Sequence, residues 1–578
     1  MPDQTEEGDP TTAKNPVEPP KLRFVTARPD STQARREAKS VIRAHASRAS
    51  WAKIRQGKKQ SRQEGSSQIG SIQPPAVQQT PLANTGLVSS QSNDEQDQDT
   101  CFGGAGPSGS RQVVPSRRQT ILGSHPVPSP LHTVGAGDID PFASYPSRLP
   151  REIAAPIIAQ VNHYFNIMFL PEPDGMEESV ARHWISWFMS DSTLFHALCF
   201  GQLARLSVTE ASGLNPVSQR AKWYCYSVVV GEVNRRFSNA STRCSDESIL
   251  AVQALAFHGD KTAAHDTREP PYSPSQGPLN ALQGLDTYAG RLDPVHMHVH
   301  GLAKMLAMRG GVDDIKFPGL AAMLSYGDVI LASRLLQRPT LPFVPIGESP
   351  ERTLASVKRP GHPLAQLGSG FQMLYDLVPP EMAQQLYNVL LHLSTYLLAV
   401  EDYIMGRPQA QSMLTLADQR NFVQHSLMSM HSSPGATTTT SADDGMYSLQ
   451  QATWCAGVVS SLISVFPIPP ARAPFAKLAS QIRQHLIIST SSGGGHDGKG
   501  WRKGAPLMLW ITFMGALAST AEDKTWYISV LERLVHRMQI LSWQSLKEKL
   551  LNFLWFPTTS DIDGQRLWRE IHNSNPFR

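Results

Sequence analysis

The sequence predicts an all-α protein, a large irregular antiparallel array of helices that follows a disordered N-terminal region with one short basic helix. Apolar residues are scarce before about Asp140 and dense after it. After Pro150 they recur at helical spacing in successive blocks, and no strand–helix alternation interrupts them. These observations predict three regions of the 578-residue chain: a basic segment (1–65), a disordered linker (66–145) and a helical domain (146–578).

The basic segment carries a helix that begins near Asp30 or Ser31. Either residue is a good N-cap, and Gln33 follows Asp30 at capping-box spacing. The helix covers about residues 30–56, with small apolar side chains near one face and Arg35, Lys39 and Arg43 in a row on another. This apolar face is too weak to fold alone, so we expect the helix to order on a partner or against the rest of the chain.

Positive charge is concentrated in this segment. Residues 21–62 hold 13 Lys and Arg against two acidic residues, whereas the whole chain has a formal net charge of only +4. Such a basic head on a mildly acidic body favours an anionic partner. The candidate residues for nuclear import or nucleic-acid contact are Arg35, Arg36, Lys39, Arg43, Arg48, Lys53, Arg55, Lys58 and Lys59. A loosely bipartite import signal, direct contact with phosphates and a plain solvated helix all remain open.

The linker is rich in Ser, Gln, Pro and Gly and poor in aromatic residues, a composition that cannot bury enough surface to fold. Beyond it, periodicity predicts twelve helices and two more near the C-terminus, with polar loops at 259–278 and 431–445. The twelve cover residues 153–168, 179–189, 192–206, 216–237, 246–258, 295–309, 320–336, 380–405, 446–466, 475–487, 506–518 and 524–540.

Cysteine usage and hydropathy indicate an intracellular protein. The five cysteines are odd in number and widely spaced, which fits a reducing compartment, and three lie in apolar runs typical of buried positions. The N-terminus has no secretory signal. The longest apolar run, 505–518, is shorter than the roughly 20 residues that span a bilayer and predicts a buried core helix.

The segment 296–312 reads H-M-H-V-H-G-L-A-K-M-L-A-M-R-G-G-V. It resembles the H-x-x-G-L-x-x-M-x-x-x-R-G-G segment of the fungal-specific transcription-factor domain, a regulatory domain often found downstream of a zinc binuclear cluster. Further segments resemble the landmarks of that family in order: N-H-Y-F (162–165), D-S-T-L-F-H-A (191–197), S-D-E-S-I-L (245–250), L-L-N-F-L-W (550–555) and G-Q-R-L-W (564–568). Residues 24–26 and 41–48 resemble the head of members without a zinc cluster.

One feature of the family is absent. A binuclear cluster needs six closely spaced cysteines, and no two cysteines here are closer than 19 positions. DNA recognition by the usual route of the family is therefore not expected.

Two motifs have simpler structural interpretations. His296, His298 and His300 suggest a metal site, but only two of them share a helical face, so a role at the helix start is favoured over metal binding. Residues 493–499 match G-x-x-x-x-G-K, but Gly500 replaces the Ser or Thr that holds magnesium, and the following residues are not expected to open a helix. This stretch is interpreted as a surface loop.

Gly310 is expected to end the helix predicted over residues 295–309 as a left-handed cap.

The resemblance and the basic head together predict a nuclear transcriptional regulator without a zinc cluster, whose helical domain senses a partner or a small-molecule effector. Expected partners are other transcription factors or co-regulators, and no membrane; contact of the basic helix with DNA stays open. No local spacing signals a catalytic triad or a carboxylate pair, so the protein is not expected to be an enzyme or to hold a metal or cofactor. The alternative is a helical adaptor that binds another transcription factor without touching DNA.

Overall fold

The computed structural model describes residues 145–170, 180–259, 279–431, 441–491 and 499–573. All of them belong to one compact unit. The basic segment with its nine candidate residues, and the linker up to residue 144, lie outside the described residues.

The described part of the chain is an all-α array, as predicted, and contains one isolated β-bridge between Gly259 and Asp293 but no β-strand. Two short 3-10 turns lie at Leu282–Gly284 and Ser369–Met373. The α-helices are α1 (Arg151–Phe169), α2 (Val180–Ser190), α3 (Ser192–Thr209), α4 (Pro216–Phe237), α5 (Asp246–Phe257), α6 (Leu285–Tyr288), α7 (His296–Arg309), α8 (Leu320–Leu335), α9 (Pro350–Ala355), α10 (Leu374–Leu377), α11 (Pro380–Ile404), α12 (Met413–Ser429), α13 (Ser441–Ser464), α14 (Phe475–Ser491), α15 (Lys499–Ala518), α16 (Ala521–Arg537), α17 (Trp543–Leu550) and α18 (Pro557–Asn573).

The twelve predicted helices and the two near the C-terminus are all present, but several expectations were wrong. Four helices were not predicted: the long α12 and the short α6, α9 and α10. The predicted loop 431–445 ends early, because α13 already begins at Ser441, and its residues 432–440 lie outside the described residues. Helix α15 begins at Lys499 and contains Pro506 in its eighth position. An interior proline removes one hydrogen bond and crowds the carbonyl of the preceding turn, yet the helix continues through Pro506.

Local caps fix several helix ends. Asp191 Oδ1 accepts hydrogen bonds from the backbone N–H groups of Thr193 and Leu194 at the start of α3. Burial alone would raise the pKa of Asp191, but the hydrogen bond from Arg236 and those two backbone donors lower it below its ordinary value. At the end of α7, Gly310 adopts φ +100° and its N–H reaches the carbonyls of Leu306 and Ala307, which confirms the predicted cap.

The core is continuous through the unit. Helix α15 supplies its most apolar stretch, where Leu507, Leu509, Trp510 and Ile511 are fully buried, as predicted for the run 505–518. Among the described helices, none is long and apolar enough to cross a membrane.

The described cysteines behave as the sequence predicted. Cys199, Cys225 and Cys455 are buried and free. A hydrogen bond with Cys225, together with burial, raises the pKa of the Cys199 thiol well above its ordinary value. The Cys199 thiol therefore stays protonated, and all three buried cysteines pack as small apolar groups.

Candidate functional site

The three histidines at the start of α7 do not converge. His296 and His300 are exposed, whereas His298 is buried and its Nε2 lies 3.4 Å from the hydroxyl of Tyr226. Burial lowers the pKa of His298 to about 4. Within the described residues, no group of three or more His, Cys, Asp or Glu side chains is arranged to hold a metal ion. Residues 493–498 of the glycine-rich motif lie outside the described residues.

The structure instead shows a cavity between α1, α2, α3, α5 and α8, closed on one side by the last residue of α6. The space left by protein atoms is about 660 Å³, including the part open to solvent. Its lining is mostly apolar, as is usual for pockets that bind small organic molecules. The lining includes Tyr164, Phe165, Met168, Trp184, Phe188, Gln202, Gln253, His258, Tyr288 and Met323.

Aromatic rings form one wall of the cavity. The rings of Phe165 and Phe188 stack with centroids 5.6 Å apart and planes 12° apart, and Trp184 packs against both. The indole N–H of Trp184 donates to the carbonyl of Pro318 at 2.8 Å, which satisfies its polar atom and fixes the ring. The wall is therefore rigid and offers flat apolar surface.

A chain of hydrogen bonds forms the polar side. His258 Nδ1 lies 2.8 Å from the carbonyl of Ala254, so this nitrogen carries the proton and Nε2 is the acceptor. The Tyr288 hydroxyl donates to Nε2 at 3.3 Å, and the Tyr164 hydroxyl in turn donates to the Tyr288 oxygen. Each proton of the chain is used internally.

All three groups of this chain are neutral at neutral pH. Burial lowers the pKa of His258 to about 4, against the opposing effect of the bond to Ala254. Burial also raises the pKa of Tyr164 to about 12 and that of Tyr288 well above its ordinary value. A general acid or base has a pKa near the working pH, so this arrangement suits binding better than proton transfer.

Two glutamine amides complete the polar lining. Gln253 is 7% exposed. Its partner at 3.4 Å is the carbonyl of Met323, so the nitrogen must face that oxygen. Gln253 Oε1 is then left buried, with no donor among the described residues. Gln202 Oε1 accepts from Arg205 Nε at 3.1 Å, which leaves the amide nitrogen of Gln202 as a donor.

Two glycines leave room for aromatic rings that line the cavity. A Cβ on Gly201 would lie 3.2 Å from the His258 ring, and one on Gly327 would lie 2.8 Å from Phe257 Cζ. Both rings occupy the space that the missing methyl groups leave. Larger side chains at either position would displace a ring that lines the cavity.

No local sequence pattern indicates this cavity, because its residues are spread from Tyr164 to Ile330. Three of the segments that resemble family landmarks nevertheless contribute to it: Tyr164 and Phe165, Ala197, and Leu250. Aromatic and small residues in these segments were the available sequence signal.

Comparison with known proteins adds no further constraint, since no protein-family model, no curated protein and no solved structure matches the chain.

Lowering the pH should weaken the fold through His258. The unfolded state takes up a proton near pH 6.5, whereas the folded state does so only near pH 4. The stabilising effect of the neutral ring is thus fully present above pH 6.5 and is lost as the pH falls towards 4. Urea unfolding at pH 7.5 and pH 5 should show that the wild type loses up to about 2 kcal/mol more than His258→Phe; the partly accessible ring makes this an upper value.

The control for this measurement is His300→Phe, which removes an exposed imidazole from α7. It should keep the pH dependence of the wild type. Equal pH dependence in the wild type and His258→Phe would contradict the assignment of His258 as neutral in the folded protein.

Proposed function

We propose that the protein is a nuclear regulator of transcription whose helical body binds a small-molecule effector. The observation that carries this proposal is the apolar cavity with an aromatic wall inside an all-α body. The basic segment and the ordered resemblance to the fungal-specific transcription-factor domain support the same role. The body acts by binding, without catalysis.

We propose that effector binding to the helical body acts on the basic segment through a conformational equilibrium. An effector that binds one conformation of the body more tightly than another shifts the equilibrium between these conformations by that difference in affinity. The basic segment then supplies nuclear import and contact with an anionic partner.

The first test places the full chain on random-sequence duplex DNA at a series of salt concentrations. Neutralising Arg35, Arg36, Lys39 and Arg43 to glutamine should weaken binding and lower the slope of log K against log salt by about 3 to 4, since each phosphate contact contributes about 0.9. Gel shift measures both quantities.

The matched control removes the same charge from the body. Arg338, Arg533, Arg537 and Arg569 are exposed, and their replacement by glutamine should leave the salt slope unchanged. No binding by the wild type at any salt would reject direct DNA contact and favour the adaptor, whose support is the lack of a zinc cluster. A fluorescent fusion that stays cytoplasmic, with target transcripts unchanged on deletion of residues 21–62, would reject the regulator proposal altogether.

A further inference from the structure

Aromatic side chains are concentrated at the cavity. Seven of its nineteen described lining residues are Phe, Tyr or Trp, a class that makes up 8% of the whole chain. Aromatic rings are common in protein cores, but these border a space of about 660 Å³ that protein atoms leave empty, including the part open to solvent. A guest molecule in that space would therefore meet rings over much of its surface.

The polar ends of these aromatic side chains are bound to other protein groups. The indole N–H of Trp184 donates to the carbonyl of Pro318. The Tyr164 hydroxyl donates to Tyr288, and the Tyr288 hydroxyl donates to His258 Nε2. Because each of these donors is already used, the side chains contribute mainly carbon surface to the cavity.

The rings form one connected wall. The centroids of Tyr288 and Tyr164 are 6.5 Å apart, and those of Tyr164 and Phe165 are 5.7 Å apart. The centroid of Phe165 is 5.6 Å from that of Phe188 and 5.6 Å from that of Trp184. These separations lie in the range of about 4.5–7 Å in which aromatic rings attract each other. A further ring beside this wall would gain the same attraction, which a saturated ring or an alkyl chain would not.

Two methionines add to this preference. Met168 and Met323 also line the cavity. Thioether sulfur makes favourable contacts with aromatic rings, often at the ring edge. An aromatic ligand would therefore gain from both kinds of lining side chain.

We propose that this cavity binds a flat aromatic molecule and selects it through contacts between its rings and the aromatic wall. The inference rests on the proposed function, because it names the chemical class of the effector. Affinity comes from burial of apolar surface, and selectivity comes from the rings. No hydrogen bond to the ligand is required.

The experiment titrates the full chain by isothermal calorimetry at pH 7.5 with two probes of one carbon skeleton. The probes are 2-naphthalenemethanol and decahydro-2-naphthalenemethanol, which carry the same hydroxymethyl group and differ in aromaticity. The saturated probe exposes more apolar surface to water, so the two absolute affinities do not isolate the ring contacts. The change in their ratio between the wild type and a variant isolates them.

The variant Phe188→Leu removes one ring of the wall and keeps a large apolar side chain. We expect the affinity for the aromatic probe, divided by that for the saturated probe, to fall about fivefold, since aromatic pairs gain this much beyond the area that they bury. The matched control is Phe475→Leu, because Phe475 is similarly buried but lies on α14 and does not line the cavity. This control should keep the wild-type ratio.

A second variant covers the case in which Phe188→Leu does not fold. Phe257 lines the same cavity and is only half-buried. Phe257→Leu should lower the ratio in the same direction, for the same reason.

The other results overturn the inference. No binding of the aromatic probe by the wild type would reject the ligand class. An unchanged ratio in the folded cavity variant would show that the rings do not select the ligand, and an equal fall in Phe475→Leu would show that the effect does not arise at this cavity. These outcomes are distinct from failure of the proposed function, which gel shift and localisation decide.

Discussion

Replacement of Arg420 by alanine is expected to lower the free energy of unfolding by about 4 kcal/mol, the largest effect that we predict for any single polar side chain. Arg420 lies on α12 and has no solvent-exposed surface. Its guanidinium donates to the carbonyl of Leu282 at 2.8 Å, to Gln283 Oε1 at 2.9 Å and to Asn421 Oδ1 at 3.0 Å. Truncation leaves these buried oxygens without that donor and opens a cavity beside them.

Packing adds to the loss. The guanidinium carbon lies 5.5 Å from the ring centroid of Tyr326 and 5.4 Å from that of Phe466. It therefore joins α8, the segment directly after α13 and the turn before α6, where Gln283 adopts φ +53°. A non-glycine residue in this region is strained, and surrounding contacts must hold it there. We assign that role to Arg420.

Urea unfolding followed by circular dichroism measures this difference in stability. The control is Arg533→Ala, an exposed arginine in the middle of α16, which should change the free energy of unfolding by no more than about 0.5 kcal/mol. A change at Arg420 as small as the control would show that the buried hydrogen bonds contribute little.

Arg420 also explains why α12 escaped prediction. The helix contains the run A-D-Q-R-N-F-V-Q-H, in which polar residues occupy every side, and periodicity analysis requires an apolar stripe. Asp418, Gln419, Arg420, Asn421 and Gln424 are nevertheless all buried. Their partners are distant in sequence: Asp418 accepts from the backbone of Gly347, and Gln424 donates to Ser333. Local sequence carries no trace of such partners.

The elements with local causes were predictable. Apolar periodicity located fourteen of the described helices. Gly310 marked the end of α7, because glycine readily adopts the positive φ that a left-handed helix cap requires. Proline was the weaker guide. The sequence predicted that a helix begins at Pro506, but in the structure Pro506 lies inside α15, which already begins at Lys499.

The candidate site was less predictable than the fold. Histidines in close sequence spacing suggested a metal, but a helix turns His298 away from His296 and His300. The residues that do converge, such as Tyr164, Tyr288 and His258, are separated by up to 124 positions. Only the packing of α1, α3, α5 and α6 brings them together. The basic residues of the N-terminal segment stay a prediction, since they lie outside the described residues.

Replacement of Gly564 by alanine is expected to lower the free energy of unfolding by about 2 kcal/mol. Alanine in the middle of a helix is ordinarily favoured over glycine by about 1 kcal/mol, so the expected sign needs a stronger opposing effect. A Cβ on Gly564 would lie 2.5 Å from Trp543 Cη2 and 2.6 Å from Trp555 Cζ2. Overlaps of this kind in a packed core cost about 3 kcal/mol.

The indole of Trp555 cannot withdraw from the added methyl group. It is fully buried, and its Nε1 donates to Asp561 Oδ1 at 2.9 Å. Lys547 in turn holds Asp561 through an ion pair at 2.5 Å. Movement of the ring would therefore break a hydrogen bond as well as a packing contact. Gly564 lies in the C-terminal segment that resembles the fungal-specific domain, and the close approach of two indoles gives a physical reason for glycine there.

Gly231 offers the matched control, because it occupies the interior of α4, is exposed, and would carry a Cβ with no atom within 4 Å. Gly231→Ala should raise the free energy of unfolding by about 1 kcal/mol through helix propensity alone. Opposite signs for the two substitutions, measured by urea unfolding under the same conditions, would establish that the contact with Trp555 and Trp543 decides the result. Stabilisation by both would mean that α18 and the two indoles are not packed as closely as described.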